Sequence, residues 1–294
     1  MASLELIRLP ALMALTSGRR DVVVGLLDGP VATSHPDLCV EGMREIPEGI
    51  PGGCVETSSS ACQHGTFLAG ILSARRNSSA PAICPGCRLL VRPIFSETTA
   101  EGELLPTTTS QRLAVAIAEC VDAGAWVLNL SAARVEPSTK DERELHDALD
   151  YAAKHGTILV AAAGNEGTLA SSAITRHPGV IPVVGYGLDA RPMAQSNMGG
   201  SLGKRGLGAP GEDVSSLGPE GNLLTLSGTS LAAAFVTGAI ALLWSEFPSA
   251  TAVQIKSAVT YCHGWRRTTV APPLLDAWEA YQVLLGSQVR RVTV

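Results

Sequence analysis

Five segments of the chain are apolar at nearly every position: Val22–Leu27, Leu89–Val91, Trp126–Leu130, Ile158–Ala163 and Val180–Val184. A strand with one face in water alternates apolar and polar residues. A strand that is apolar throughout must be covered on both faces, as the strands of a parallel sheet are. Between these runs the spacing changes to that of helices. Over Ser110–Ala123 it places Leu113, Ile117, Cys120 and Val121 on one face, with Ser110 as N-cap and Gly124 as the C-terminal stop. Over Asp141–His155 it gathers Leu145, Ala148, Leu149 and Ala152, with acids in the first turn and Gly156 at the end. Strand and helix in alternation predict an α/β fold of three layers, a doubly wound, mostly parallel sheet with helices on both faces.

Such sheets place ligands outside the C-terminal ends of their strands. Residues with chemistry should therefore follow the apolar runs, and three do: Asp28 after Val22–Leu27, Ser131 after Trp126–Leu130, and Asn165 just beyond Ile158–Ala163. No internal repeat or linker divides the 294 residues, of which 46% are hydrophobic. One core and one domain, 1–294, is the expectation. Residues 1–20 form a short extension before the first strand, and 264–294 a C-terminal strand or helix packed on the domain.

Charge narrows the partners. Only 17% of residues are charged and the net charge is −5, with no basic tract, so nucleic acid is not expected. Glu5 and Arg8 interrupt the apolar N-terminus, which lacks the order of a secretory signal. The apolar stretch Ala232–Trp244 is broken by Thr237 and Gly238 and is read as too short to span a bilayer. No membrane partner and a cytoplasmic location follow as expectations; the oligomeric state is left open. The seven cysteines would then be mostly thiols. Cys84 and Cys87 make a single C-x-x-C without the second pair of a structural zinc site, and a buried thiol or a local disulfide is the reading there. No metal or other cofactor is expected.

Ser230 stands in Gly228-Thr229-Ser230, directly before a long apolar segment. A serine at the start of a buried helix lies beside unpaired backbone N–H groups and the favourable end of the helix dipole, both able to stabilise an oxyanion. An ordinary N-cap serine would look the same. His64, in His64-Gly65-Thr66, opens another helical pattern, where a neutral imidazole can relay the serine proton. Asp28, before Gly29, can hold the imidazole tautomer, although a strand-end Asp is often just a turn former. Asn165, in Gly164-Asn165-Glu166-Gly167, offers an amide donor to an oxyanion or, equally, a turn residue. The order Asp, His, Ser along the chain is one of the known orders of a Ser-His-Asp triad. It disfavours an α/β-hydrolase, whose serine sits in G-x-S-x-G and precedes its partners.

With these motifs, and Ser34-His35-Pro36-Asp37-Leu38 downstream of Asp28, the sequence resembles the subtilisin-like (S8) serine peptidases over roughly 21–260. Within them it is similar to the cyanobactin maturation proteases, through Leu26–Val31, Cys87–Ser96 and Ala209–Val214. The resemblance implies a seven-stranded parallel sheet, Asp28, His64 and Ser230 as catalytic triad, and Asn165 as oxyanion donor. It implies a substrate cleft edged by Ser131, Ala132, Ala133 and Arg134, with Gly164 and Glu166 at its pocket, pairing with an extended peptide as an added strand. The implied function is a serine endopeptidase acting on a peptide, namely a ribosomal precursor in natural-product maturation. A transpeptidase or macrocyclase using the same acyl-enzyme, and a catalytically silent peptide-binding scaffold, are the alternatives.

Four departures from the family pattern bear on that reading. About 20 residues precede the first strand, too few for the prodomain of many secreted relatives. Ala133 and Arg134 replace glycines at the cleft edge and should narrow it. Glu166 would favour a basic side chain before the cut and Arg134 an acidic one, so the two point in opposite directions. Ala234 stands where the family has proline; harmless drift is the leading reading, and the alternative is that alanine relaxes the first helical turn, moves Ser230 and admits an amine to the acyl-enzyme. The loop Ala74–Pro81 has no carboxylate and two arginines, so calcium is not expected there.

Overall fold

The computed structural model describes residues 2–46, 49–97, 108–131, 139–261 and 269–292. Seven strands form one parallel sheet: β1 (Val23–Asp28), β2 (Met43–Glu45), β3 (Arg88–Pro93), β4 (Val127–Leu130), β5 (Ile158–Ala162), β6 (Val180–Tyr186) and β7 (Leu207–Pro210), in the order β2-β3-β1-β4-β5-β6-β7. A separate antiparallel hairpin pairs β8 (Val214–Leu217) with β9 (Leu223–Leu226). The helices are α1 (Ala2–Leu6), α2 (Leu9–Leu15), α3 (Ser60–Ser73), α4 (Ser110–Asp122), α5 (Thr139–Lys154), α6 (Ala173–Arg176), α7 (Gly200–Arg205), α8 (Thr229–Glu246), α9 (Ala252–Val259) and α10 (Ala277–Val292).

The two faces of the sheet feed two cores. Val24 and Leu26 of β1 join the side chains of α2, α3, α8 and α10 on one side. Val23 and Leu27 join those of α4 and α5 on the other. The period of two expected of a strand is present, but both faces are apolar, so it does not show in the sequence. All five apolar runs become strands of this sheet. The short strands β2 and β7 carry no such run, and the β8–β9 hairpin has exposed polar positions.

Helix α4 is capped one residue earlier than expected: the Thr109 side chain accepts from Arg112 N, 3.1 Å away, and Ser110 is already helical and buried. Gly124 and Gly156 end α4 and α5 with φ of +83° and +78°, a conformation glycine takes without cost. Helix α8 is longer than the stretch Ala232–Trp244. Its 18 residues are long and apolar enough to cross a membrane, but nearly all of them are buried inside the domain, so it is a core helix. The C-terminal segment is helical, as α10, and packs against α9 and α2.

Candidate active site

The strand order reverses between β1 and β4: β1 continues to β3 on one side, and β4 to β5, β6 and β7 on the other. That reversal is the switch point at which an open parallel sheet leaves a crevice beyond its C-terminal edge. Asp28 ends β1 and Ser131 follows β4 at this crevice, and Gly164-Asn165 follow β5 beside it.

Backbone contact brings His64 to Asp28. A Cβ on Gly29 would lie 2.0 Å from the carbonyl oxygen of Ala61, and one on Gly65 only 2.3 Å from that of Pro30. Without side chains at these two positions, α3 rests directly on the turn after β1. His64 Nδ1 lies 2.8 Å from Asp28 Oδ1, and His64 Nε2 lies 2.8 Å from Ser230 Oγ. Asp28 Oδ1 also accepts from Gly29 N at 2.6 Å. The carboxylate is fully buried, whereas the imidazole keeps 30% of its side-chain surface exposed. Burial works against a charged His64, but the charge of Asp28 and its hydrogen bond outweigh it, and the pKa is raised above the ordinary 6.5. With Nδ1–H given to the carboxylate, Nε2 is free to accept the Ser230 proton.

Ser230 is the second residue of α8 and not its N-cap; that place belongs to Gly228. Its backbone N–H is one of the orphan donors of the first turn. Asn165 Oδ1 accepts from Thr229 N at 2.9 Å, which fixes the amide with Nδ2 turned the other way. Nδ2 and Ser230 Oγ then flank Gly228, 3.5 and 3.6 Å from the place its Cβ would occupy. Gly164, with φ of +106°, gives its N–H to Thr229 Oγ1 at 3.1 Å, so that donor serves the loop. Glu166 reaches Asn197 Nδ2 through its carboxylate. Ser131 N donates to Leu27 O at 3.3 Å, holding the start of the cleft edge to β1. Ala132, Ala133 and Arg134 lie outside the described residues.

The site also uses residues that composition and spacing did not single out. Asn197 and Thr229 hold the Asn165 loop from two sides. Thr237, buried in α8, donates to Asn129 Oδ1, and Asn129 Nδ2 donates to Ser131 Oγ. Cys54 and Cys62 form a disulfide that ties the preceding loop to the first turn of α3, two residues before His64. Cys84 and Cys87 are buried free thiols, so the C-x-x-C is the first of its two expected forms. The only clue to the disulfide is the pair's nearness to the His64 motif, and cysteine spacing alone does not give pairing.

Two groups of ligand-type side chains come together among the described residues: Cys54, Cys62 and Glu97, and His146, Asp150 and His177. In the first the sulfurs are bonded to each other. In the second, Gly179 N donates to His177 Nδ1 at 3.1 Å. The neutral ring therefore carries its proton on Nε2, the atom facing Asp150, and offers no lone pair there. Burial, then the nearby His146, keeps the His177 pKa below its ordinary value. Neither group is set to hold an ion.

Several known proteins are similar to this chain. The model of the Subtilase family matches residues 19–262. Subtilisin of Bacillus pumilus is 30% identical over 263 residues, covering 87% of this chain and 90% of its own length. Subtilisin DY of Bacillus licheniformis is 29% identical over 245 residues, 82% of each chain. The chain spans 65% of the longer Subtilisin J of Geobacillus stearothermophilus. Among solved structures, a serine-to-alanine variant of the PatA protease domain superimposes with a TM-score of 0.80 at 30% identity, covering 92% of this chain and 97% of that one. The prenylagaramide maturation protease PagA gives 0.79 at 27% identity, with 95% and 98% covered. Both are of the cyanobactin type that the sequence resembles. The PatG macrocyclase in complex with peptide gives 0.79 at 20% identity, with 95% and 96% covered, a likeness of fold alone.

Proposed function

The chain belongs to the subtilase family of serine proteases, and on that premise we propose that it is an endopeptidase that cuts a ribosomal precursor peptide in natural-product maturation. The observation that carries the chemistry is the unbroken hydrogen-bond chain from Asp28 through His64 to Ser230. The substrate class is supported by the likeness, at 27–30% identity, to PatA and PagA, which are maturation proteases.

In this reading an extended peptide lies along the edge that begins at Ser131, its backbone pairing as an added strand. Ser230 Oγ attacks the scissile carbonyl carbon and its proton passes to His64 Nε2. Asp28 stabilises the imidazolium through Nδ1–H. The carbonyl oxygen becomes an oxyanion held by Ser230 N–H and Asn165 Nδ2–H. His64 then protonates the leaving amine, the C–N bond breaks, and an ester to Ser230 remains. Water gives a proton to His64, attacks the ester and releases the acid, and Ser230 recovers its hydrogen.

The setting of Ala234 supports water rather than an amine in that last step. It lies fully buried inside a helix that runs unbroken from Thr229 to Glu246. An alanine there supplies the N–H that proline lacks and completes the helix rather than loosening it. Hydrolysis is therefore the proposed outcome.

A fluorophosphonate probe tests the nucleophile: the native protein should label and Ser230→Ala should not. Cleavage of a peptide library, followed by a peptide ester offered with an amine acceptor, tests the outcome. Hydrolysed product is expected. A majority of ligated product would turn the assignment to a transpeptidase, and a native protein that resists the probe would remove the peptidase reading altogether.

A further inference from the structure

We propose that Asn197 is the positioning residue of the oxyanion site, holding the loop that presents Asn165 through both ends of its amide; this rests on the peptidase reading of Ser230 and Asn165. Asn197 is only 8% exposed and lies in the segment after β6, while Asn165 lies in the loop after the neighbouring β5. Ser196, beside it, is anchored to β6: its Oγ accepts from Gly185 N at 3.1 Å and lies 3.2 Å from Gly185 O. From that fixed point Asn197 reaches across to the loop on both sides of Asn165.

Its Oδ1 accepts from Glu166 N at 3.2 Å, Thr168 N at 3.1 Å and Thr168 Oγ1 at 3.0 Å. Its Nδ2 donates to Ala163 O at 3.3 Å and to the Glu166 carboxylate. Its own backbone N–H donates to Gly164 O at 2.9 Å. The buried side-chain amide thus binds residues 163, 166 and 168 and the backbone N–H of the same residue binds 164, leaving Asn165 between clamped neighbours. The side chain passes so close to Gly164 that a Cβ there would stand 2.3 Å from Nδ2. Glycine at 164 therefore serves the clamp as well as the turn.

An oxyanion donor contributes only where it is already aimed at the developing charge. Among the described residues, the side chain of Asn165 is anchored by the bond from Thr229 N to Oδ1. That bond fixes which way the amide faces, and the Asn197 clamp fixes where the loop stands.

The Asn197–Glu166 contact supplies a test that packing alone would not answer. Asn197→Asp keeps the acceptor oxygen but replaces the donor with a second carboxylate facing Glu166 and the Ala163 carbonyl. On a substrate uncharged beside the cut, kcat should fall about 10- to 100-fold with KM within about twofold, the scale of a misplaced catalytic group. Fluorophosphonate labelling should slow in parallel. Adding Glu166→Gln to Asn197→Asp returns a donor to the pair with its direction reversed. It should restore most of the lost rate, as coupled neighbours do. Thr168→Val removes only the hydroxyl donor to Oδ1, and serves should Asn197→Asp fail to fold; it should lower kcat and leave KM in place. Rates of Asn197→Asp within twofold of native, a loss that Glu166→Gln does not repair, or a Thr168→Val with native kcat would each overturn the proposal. A native protein that resists the probe overturns the peptidase reading and this one with it, whereas native labelling with unaffected variants overturns the role of Asn197 alone.

Discussion

Thr237 donates its hydroxyl to Asn129 Oδ1 across 3.0 Å of interior in which neither side chain is exposed. The pair joins the helix that carries Ser230 to the strand that leads to Ser131. Ser230 and Thr237 are seven residues apart on α8, about two turns, so they share a face. Thr237 interrupts the apolar middle of the helix, where it supplies a partner to Asn129, and Asn129 in turn orients the Ser131 hydroxyl at 3.2 Å. Thr237→Val keeps the shape and leaves a buried amide oxygen unpaired. It should cost about 1–3 kcal/mol of stability, read as a lower denaturation midpoint. In the background of Asn129→Leu the same change should cost much less, and equal costs in both backgrounds would contradict the pairing.

His64 gives the activity its pH dependence. Catalysis needs the neutral imidazole, and Asp28 raises the His64 pKa above 6.5. The acid limb of kcat/KM should therefore lie above about pH 6.5. Burial opposes the charged imidazole, and Asp28→Asn removes the charge that together with the hydrogen bond overcomes it, so the limb should move to lower pH while the rate drops by roughly 10⁴. The stability effect has the opposite sense. A raised folded pKa stabilises the fold below the unfolded value and loses that contribution as pH rises through the folded one. Urea midpoints across this range should show His64→Ala losing more stability on the acid side than on the alkaline side.

Asn165→Ala should lower kcat by about 10²–10³ with little change in KM, because the Nδ2 donor contributes only once the oxyanion forms. Thr229 N loses its acceptor in the same variant, so a modest loss of stability should accompany the kinetic one. Comparing kcat with the thermal midpoint separates the two, and a change confined to KM would speak against the oxyanion role.

The Cys54–Cys62 disulfide closes a short loop, with a sequence separation of 8. Cross-linking so few residues should stabilise by about 2–3 kcal/mol on loop-entropy grounds. The pair Cys54→Ala and Cys62→Ala should lower the denaturation midpoint accordingly, and dithiothreitol should lower that of the native protein but not of the variant. Burial pushes the free Cys120 thiol up to about 12, so little of it is thiolate at neutral pH.

Asp28, Ser131 and Asn165 were legible because each stands within two residues of the end of an apolar run, where a parallel sheet exposes its strand ends. His64 and Ser230 were legible through the small residues beside them. Asn197 was not: most of its partners are backbone atoms and a threonine some 29 to 34 positions away, and nothing local marks it. Strands β2 and β7 were missed for a different reason. Met43-Arg44-Glu45 is a half-exposed edge, and Leu207–Pro210 contains a glycine and a proline, so neither shows the apolar continuity of the central strands. The cap of α4 moved to Thr109 because Thr and Ser at adjacent positions can both cap, and only the hydrogen bond decides between them.

The contact of Gly29 with Ala61 and of Gly65 with Pro30 has a consequence for how the acid–base pair is inherited and altered. The separation between positions 28 and 64 is set by main chain pressed on main chain, before either side chain is considered. The imidazole and the carboxylate are passengers on a frame built by two absent methyl groups. Exchanging the passengers changes the chemistry and spares the frame. Adding a single methyl to either glycine pries the frame apart and disables the pair with both catalytic side chains still in place.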